Sequence, residues 1–462
     1  MSTAMRDFGD SALFPVYDVL KASILVDGFD LILDVEGSRG SYLRDLRDGT
    51  EYLDMFGFFG SSALGMNHPA IAGDEEFQQE LAVVASNKPS NSDIYTEPMA
   101  RFVAAFARVL GDSALPHLFF VDGGALAVEN ALKVAFDWKS RWNESRGLSA
   151  DLGTKVLHLT EAFHGRSGYT MSLTNTEPGK VARFPKFDWP RIDSPYLADG
   201  RDVEAAERQA LDQARRAFAD NPDDIACFIA EPIQGEGGDH HLRPEFLQAM
   251  QELCHENDAL FILDEVQTGC GITGTAWAYQ QLGLSPDVVA FGKKTQVCGI
   301  MAGGRVDEVH DNVFHVSSRI NSTWGGNLTD MVRARRILEV VEQDRLIDRV
   351  RFTGAHLLAR LTEVCGRYAA ATEPRGRGLM CAITLADSDL RDRVVQRLRE
   401  DEQVMMMPTG KRGIRFRPAQ DEHVMILPTG KRGIRFRPAL TVTTSELDDA
   451  VDAVERVLAR EP

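Results

Sequence analysis

The sequence lacks the features of a disulfide-bonded or membrane-spanning protein. Its 462 residues include six cysteines, none of them in a CxxC pair, which favours reduced thiols in a reducing compartment. No apolar run approaches the length of a bilayer crossing. Residues 1–10 carry acids without the apolar core of a signal peptide. We therefore expect a soluble, cytoplasmic protein.

Basic residues are fewer than acidic ones, and several catalytic signatures are missing. Lys and Arg number 51 against 69 Asp and Glu, a formal charge of −18. This acidic excess argues against a nucleic acid or an anionic membrane as the main partner. The chain has no HExxH, no GxSxG, no G-x-x-x-x-G-K-[ST] loop and no cysteine cluster with metal-ligand spacing. We expect no metal site.

The middle of the chain has the pattern of an α/β fold. Short apolar runs alternate with helical patterns, which favours a large, mainly parallel sheet with helices on both faces. After the first run, apolar residues spaced by three and four from Ala125 to Trp142 predict a helix. Pro244 suits the first position of another helix. The predicted strands are His117–Val121, 156–159, 226–230, 260–263 and Val288–Phe291.

The two ends of the chain differ from its middle. Residues up to about Asp54 alternate short strands with turns, and mixed elements follow a long helix near 330–343. Thr443 and Glu446 have the spacing of a capping box that opens a last helix. We predict a smaller α+β domain built from both ends. Its predicted segments are residues 1–64 and 331–462, with the large domain at 65–330.

A tandem repeat interrupts the C-terminal part. Residues 401–419 recur at 421–439, and the two copies differ at only three positions. Two copies are too few for a solenoid. Both copies cannot occupy one strand position, so we expect one of them to be extruded as a loop or added at a sheet edge.

Charged residues follow two of the predicted strands. Asp264 and Glu265 end one apolar run, and Lys293 and Lys294 follow another. The carboxyl ends of parallel strands line the ligand crevice, where a buried carboxylate needs a cationic partner. A lysine near Asp264 could be that partner, or could form a Schiff base with an aldehyde. The alternatives are an acid that caps the next turn and a solvated lysine pair.

Three further motifs carry weaker signals. Gly123 and Gly124 join a strand to a helix, where backbone N–H groups can hold a phosphate, although a plain tight turn is equally consistent. The G-x-G-x-x-G pattern at residues 269–274 lacks the acid that a dinucleotide site needs, so we interpret it as a turn. We expect His240 and His241 to lie on the surface.

Together these motifs resemble the class III aminotransferases, pyridoxal-phosphate enzymes of fold type I, over roughly residues 31–458. Four further stretches are similar to the lysine-specific branch of that family. The family motifs lie at residues 65–69, 123–125, 163–166, 231–238, 264–269 and 292–293, and the lysine-branch stretches at 87–93, 183–190, 292–299 and 321–327.

The resemblance implies a role for each motif residue toward pyridoxal 5′-phosphate. Lys293 would form a Schiff base with the cofactor and later move the proton, and Asp264 would pair with the pyridinium nitrogen. The other implied cofactor-binding residues are Gly124 and Ala125 at the phosphate, Phe163 on the ring, Gln267 at the ring hydroxyl, and Thr323 from the second subunit of a homodimer.

The resemblance also implies a substrate site. Arg166 would pair with the carboxylate far from the reacting carbon, and Asn321 is a further substrate-binding candidate. An arginine of the Arg-Phe-Arg-Pro motif would bind the carboxylate beside the reacting carbon of 2-oxoglutarate, and Glu236 would cover it while lysine reacts. The duplication offers two such arginines. We favour Arg435 over Arg415, because Arg435 continues into the family's C-terminal ending.

The implied activity is transfer of the ε-amino group of L-lysine to 2-oxoglutarate. The products would be L-glutamate and 2-aminoadipate 6-semialdehyde, which cyclises to 1-piperideine-6-carboxylate. One alternative is another class III enzyme that acts on ornithine or 4-aminobutyrate. The other is a cofactor-binding protein that lost turnover through the duplication.

Overall fold

A seven-stranded mixed sheet forms the centre of the fold. The structure is a computed structural model that describes residues 14–409 and 432–461. All neighbouring strands are parallel except Cys298–Ala302, which is antiparallel to both of its neighbours. The predicted α/β fold is therefore confirmed. From one edge, the strands are His117–Val121, Cys298–Ala302, Val288–Phe291, Leu260–Asp264, Ile225–Ala230, Lys155–Leu159 and Arg191–Ile192.

The strands are continuous apolar runs because both faces of the sheet are covered. Every residue of Ile225–Ala230 is buried. Phe228 belongs to a core beneath helix Pro244–Glu256, whereas Ile229 packs on the opposite face with helix Gly124–Ser145. Alternate side chains thus enter two separate cores, as expected for a parallel sheet between two helical layers. The helix that Pro244 was predicted to begin is confirmed.

The remaining helices lie around this sheet and along the C-terminal part. The described helices are Val16–Lys21, Gly57–Gly60, Pro69–Ala72, Glu75–Ala85, Glu97–Val109, Gly124–Ser145, Thr170–Leu173, Pro178–Val181, Val203–Asp220, Gly235–Gly238, Pro244–Glu256, Tyr279–Leu282, Leu328–Gln343, Leu346–Arg367, Ser388–Glu400 and Thr444–Leu458. Two 3₁₀ turns, Lys293–Thr295 and Gly304–Glu308, lie beside the central sheet.

Two smaller sheets bring the chain ends together. One contains Tyr42–Arg44, Glu51–Asp54 and Val404–Met405. In it Val404 pairs with Leu53 from the other end of the chain. The other sheet contains Ala371–Arg377, Met380–Leu385, Gly433–Phe436 and Met407–Thr409, in that order. The predicted capping box closes the last helix, since Thr443 and Glu446 satisfy each other's backbone N–H groups. The domain limits at 64 and 330 stay a prediction.

One hairpin of this second sheet combines both copies of the repeat. Met407, from the first copy, pairs with Arg435, from the second. Residues 410–431 lie outside the described residues, and Arg415 is among them. The first copy thus supplies the strand Met407–Thr409, and the second copy supplies its partner Gly433–Phe436.

The prediction that His240 and His241 lie on the surface is wrong. The pair forms a short strand that is antiparallel to Ile233–Gln234. His240 is buried and stacks on Tyr196, with ring centres 3.5 Å apart. Burial lowers the pKa of His241 to about 3. All six cysteines are free thiols, and no helix of the described ranges is both long and apolar enough to span a membrane.

Candidate active site

Three turns meet at the carboxyl edge of the central sheet. Val266 follows Leu260–Asp264 and lies against two glycines: a Cβ on Gly124 would be 3.0 Å from its side chain, and one on Gly292 would be 3.4 Å from it. Gly124 opens a 22-residue helix, and Gly292 directly precedes Lys293. The helix start, the acidic turn and the lysine turn therefore converge, as the crevice rule for open α/β sheets predicts.

Asp264 lies buried at the end of its strand and is held from two sides. Its Oδ2 is 2.8 Å from His164 Nδ1, and its Oδ1 accepts the Val266 N–H at 3.0 Å. Burial alone would lower the pKa of His164, but the hydrogen bond and charge of Asp264 outweigh it and raise that pKa. The His164 ring and the Asp264 carboxylate therefore form a buried pair at the end of the strand. The carboxylate can then stabilise a cation in front of the strand.

A second buried carboxyl, Glu231, fixes the two loops beside Asp264. Glu231 accepts the Phe163 N–H at 2.9 Å and the Gly235 N–H at 3.1 Å. Burial raises its pKa to about 7 although the nearby His164 opposes this shift. Glu231 therefore joins the loop that carries Phe163 to the loop that carries Glu236.

The amine of Lys293 is buried and interacts with the charges of these acids. Burial lowers its pKa, and Arg435 lowers it further, while Glu236 and Asp264 act in the opposite direction. Its backbone has φ +54°, a left-handed conformation that costs a non-glycine residue roughly 1–2 kcal/mol. Gln296 stabilises the turn, since its side-chain amide donates to the carbonyls of Ser61 and Lys293.

Lys294 points elsewhere. Its Nζ donates to the carbonyl of Gly60 at 2.6 Å, and burial lowers its pKa to about 7. It is not solvated, contrary to the alternative that both lysines lie on the surface. The two adjacent amines thus occupy separate environments, and the one exposed to the charges of Asp264 and Glu236 is Lys293.

Glu236 and Arg435 form an ion pair close to the Lys293 amine. Arg435 Nη2 lies 2.8 Å from Glu236 Oε2, and its Nη1 donates to the Gly235 carbonyl at 3.2 Å. The other oxygen of Glu236, Oε1, lies 2.9 Å from Lys180 Nζ. Burial opposes ionisation of Glu236, but Arg435 and then Lys180 hold its pKa well below the usual range.

Arg437 directly follows the strand Gly433–Phe436 and orients another polar residue of the site, Gln267. It is fully buried and pairs with Asp239. Its Nε and Nη2 both donate to Gln267 Oε1 at 3.2 Å. These bonds orient Gln267 against Gly235. A Cβ on Gly235 would lie only 2.2 Å from the side-chain oxygen of Gln267.

The loop 163–166 packs closely on the helix start. A Cβ on Gly165 would lie 2.5 Å from that of Ala125, and φ at Gly165 is +116°. Phe163 is half-buried, with Lys180 Nζ 5.4 Å from its ring centre. Arg166 is exposed and has no hydrogen bond or ion pair with any described residue. Its guanidinium is available for an external carboxylate.

Hydrogen bonds join two of the stretches that resemble the lysine branch. The Ser90 hydroxyl donates to the Thr323 carbonyl at 2.6 Å, and the Asn91 amide donates to the Gly326 carbonyl at 2.9 Å. Asn321 and Thr323 lie exposed on this loop. Their side chains are presented outward, away from the buried core.

The fold and this site together define a pyridoxal-phosphate-dependent aminotransferase of fold type I. Residues 26–458 match the family described as aminotransferase class-III, and the chain belongs to that family. It is 61% identical over 447 residues to the L-lysine-epsilon aminotransferase of Mycobacterium tuberculosis, covering 96% of this chain and 95% of the relative.

Two further comparisons agree. The L-lysine-epsilon aminotransferase of Streptomyces clavuligerus is 57% identical over 458 residues, covering 97% of this chain and 95% of that relative. The solved structure of the lysine aminotransferase from M. tuberculosis has a TM-score of 0.91 at 60% identity, over 96% of this chain and 98% of that one.

The residues present fit pyridoxal phosphate. The helix that begins at Gly124 has no side-chain cap, so its first N–H groups can bind a phosphate. The absence of a Cβ at Gly165 leaves the loop 163–166 close against that helix start. Lys293 offers an amine of lowered pKa for a carbonyl, and Asp264 offers a buried carboxylate for a ring cation.

Several residues of this site were not singled out from the sequence. His164 and Glu231 lie within the family motifs, but only the structure shows their contacts with Asp264 and Phe163. Asp239 stands outside any motif, as does Lys180. Away from the site, His117, Asp307 and His315 form one group of possible metal ligands within the described residues, and His117 and Asp307 already pair at 2.7 Å.

Proposed function

We propose that this protein transfers the ε-amino group of L-lysine to 2-oxoglutarate. The products are L-glutamate and 2-aminoadipate 6-semialdehyde, which cyclises to 1-piperideine-6-carboxylate. Family membership and the high identity to relatives named L-lysine-epsilon aminotransferase support this proposal. The observation that carries it is the Glu236–Arg435 pair beside the Lys293 amine.

The two substrates differ next to the reacting carbon. The ε-carbon of lysine has no carboxylate beside it, whereas the carbonyl carbon of 2-oxoglutarate does. A free arginine facing the ε-carbon would be a poorly compensated buried charge. Glu236 covers Arg435 while lysine reacts, and leaves it when the keto acid brings its own carboxylate.

The remaining proposed roles follow from position and charge. When bound, pyridoxal phosphate supplies an aldehyde that accepts the amino group and a ring that accepts electrons. Lys293 would hold it and then carry the proton at Nζ, and Asp264 would stabilise the protonated ring nitrogen. Gln267 would contact the ring hydroxyl, and Phe163 the ring face.

Arg166 would bind the distant carboxylate of either substrate. Its free guanidinium can pair with a carboxylate through two parallel hydrogen bonds. Both lysine and 2-oxoglutarate carry a carboxylate at the end far from the reacting carbon. Asn321 is a further proposed substrate contact.

We also infer a cytoplasmic homodimer in which Thr323 completes the neighbouring subunit's site. The exposure of Thr323 supports this, as do the exposed Ile94, Tyr95 and Trp324 around its loop. Exposed apolar groups that cluster are typical of an interface. The free thiols favour a reducing compartment.

The test follows the absorbance of the bound cofactor in the purified holoenzyme. Lysine alone should remove the band of the aldehyde-loaded enzyme, and 2-oxoglutarate should restore it. Identification of the cyclised semialdehyde then establishes reaction at the ε-amine. A holoenzyme that ignores lysine but responds to ornithine or 4-aminobutyrate contradicts the proposal in favour of the other class III activities. One that responds to no amine supports a binding protein.

A further inference from the structure

Glu236 has a second cationic partner that the proposed exchange with Arg435 does not explain. Arg435 contacts one carboxylate oxygen at 2.8 Å, and Lys180 Nζ contacts the other at 2.9 Å. Lys180 also lies 2.9 Å from Glu177 Oε1. The four side chains form a row of alternating charge that leads from the reaction centre outward.

The two ends of this row of charged side chains differ in burial. The side chain of Arg435 is 2% exposed, whereas those of Lys180, Glu236 and Glu177 are 22–25% exposed. Lys180 is held over the ring of Phe163 as well. Its amine is therefore fixed at the rim of the site rather than extended into solvent.

Opening of the Glu236–Arg435 pair has an electrostatic cost. When a keto-acid carboxylate takes the place of Glu236 on Arg435, the arginine keeps a partner but Glu236 loses one. A partly buried carboxylate without a cation is unfavourable. Lys180 already contacts the oxygen that does not face Arg435, so this contact can persist while the other breaks.

We propose that Lys180 is a positioning residue that retains Glu236 when Glu236 releases Arg435 to a dicarboxylate keto acid. This inference rests on the proposed function, in which Arg435 binds 2-oxoglutarate. Lys180 pairs with Glu236 in both states, but only in the open state is it the sole cation on Glu236. Loss of Lys180 therefore penalises the keto-acid half-reaction and leaves the lysine half-reaction little changed.

The experiment compares Lys180→Met and Lys180→Arg with the wild-type holoenzyme. In Lys180→Met, we expect the KM for 2-oxoglutarate to rise roughly tenfold, as does the dissociation constant of the unreactive dicarboxylate glutarate measured by calorimetry. The KM for lysine and the rate of its half-reaction should stay near the wild-type values. Lys180→Arg keeps the charge and should restore keto-acid binding.

Glu177→Gln is the matched control, because it removes a carboxylate from Lys180 without touching Glu236. It should leave both KM values near wild type. An equal change for both substrates in Lys180→Met, or no change in glutarate binding, overturns the inference, as does a failure of Lys180→Arg to recover binding. A wild-type holoenzyme that does not respond to lysine and 2-oxoglutarate contradicts the proposed function instead.

Discussion

Lys293 and Lys294 show how neighbouring identical side chains acquire different chemistry. The amine of Lys293, whose backbone is left-handed, interacts with the charges of Asp264 and Glu236, whereas the amine of Lys294 donates to the Gly60 carbonyl. Both have lowered pKa values because both are buried. A low pKa thus does not separate them, whereas the direction of the side chain does.

In Lys293→Ala, the cofactor should no longer be covalently bound. Turnover should fall at least about 10²-fold, because the proposed proton carrier is removed. Lys294→Met should keep both, since the hydrogen bond of the Lys294 amine goes to the Gly60 carbonyl and its charge acts on Asp54. Borohydride reduction followed by peptide mass analysis, with steady-state rates, distinguishes the two variants. Cofactor found on residue 294 would contradict the assignment.

At the scale of residues, the sequence predicts which side chains belong to the site better than it predicts which side chains they contact. Asp264 and Lys293 are recognisable because charged residues directly follow apolar strands, a local signal. The contact of Lys180 with Glu236 joins residues that are 56 positions apart. No spacing rule predicts it, since the meeting point depends on how two loops fold over the sheet.

At the scale of elements, strands and helices follow local patterns closely. The predicted His117–Val121 and Val288–Phe291 have the bounds found in the structure, and the other predicted strands of the sheet differ by one residue at an end. Apolar runs that are buried on both faces leave little ambiguity. The pairing of Val404 with Leu53 was not predictable in this way, because it depends on the two chain ends meeting.

The hairpin from the two repeat copies leads to a prediction about length. In the present chain, 23 residues connect Thr409 to Gly433. Deletion of residues 410–429 leaves Gly430, Lys431 and Arg432 as the connection. Because a shorter connection between paired strands costs less entropy to close, we expect a gain of about 2 kcal/mol in the free energy of unfolding, with unchanged or higher turnover. Urea unfolding and steady-state rates measure these effects.

A same-length replacement of residues 410–429 by Gly and Ser separates the effect of the number of connecting residues from the effect of their sequence. It should match the natural chain in stability and turnover. A deletion variant that is less stable or slower would show that the second set of repeat residues contributes to the fold, contrary to this expectation.

At the scale of the whole molecule, buried histidines make stability depend on pH. His158 is fully buried, and its Nε2 accepts a hydrogen bond from Arg191. Burial and the charge of Arg191 lower its pKa to about 3. In the unfolded chain it takes up a proton near pH 6.5. Its contribution to stability is therefore present above pH 6.5 and is lost as the pH falls toward 3.

His158→Gln should remove this dependence while it keeps an acceptor for Arg191. Between pH 7 and pH 5.5, the free energy of unfolding of the wild type should fall by about 1 kcal/mol relative to the variant. Urea unfolding at the two pH values measures the difference. His310→Gln, at a side chain that is 97% exposed, should show no such change. If the difference in unfolding free energy between the wild type and His158→Gln were the same at both pH values, it would contradict the lowered pKa of His158.

The proposed dimer can be tested by mixing subunits. If Thr323 acts in the neighbouring subunit's site, a heterodimer of Lys293→Ala and Thr323→Ala subunits contains one site with both residues intact. When the two weakly active variants are mixed and allowed to exchange subunits, activity should then be restored. No recovery, in a mixture shown by mass analysis to contain heterodimers, would place Thr323 in the site of its own chain.

The hairpin shared between the copies also has a genetic consequence. Residues 408–419 and 428–439 are identical. Recombination between the matching coding segments therefore removes 20 codons, and it yields one and the same shortened protein sequence wherever the crossover lies. That product retains Met407–Thr409 and, further along the chain, Gly-Ile-Arg-Phe, the two strands that the structure pairs. The duplication can therefore be reversed in one step, without passing through a chain that lacks the arginine for which we propose a role in substrate binding.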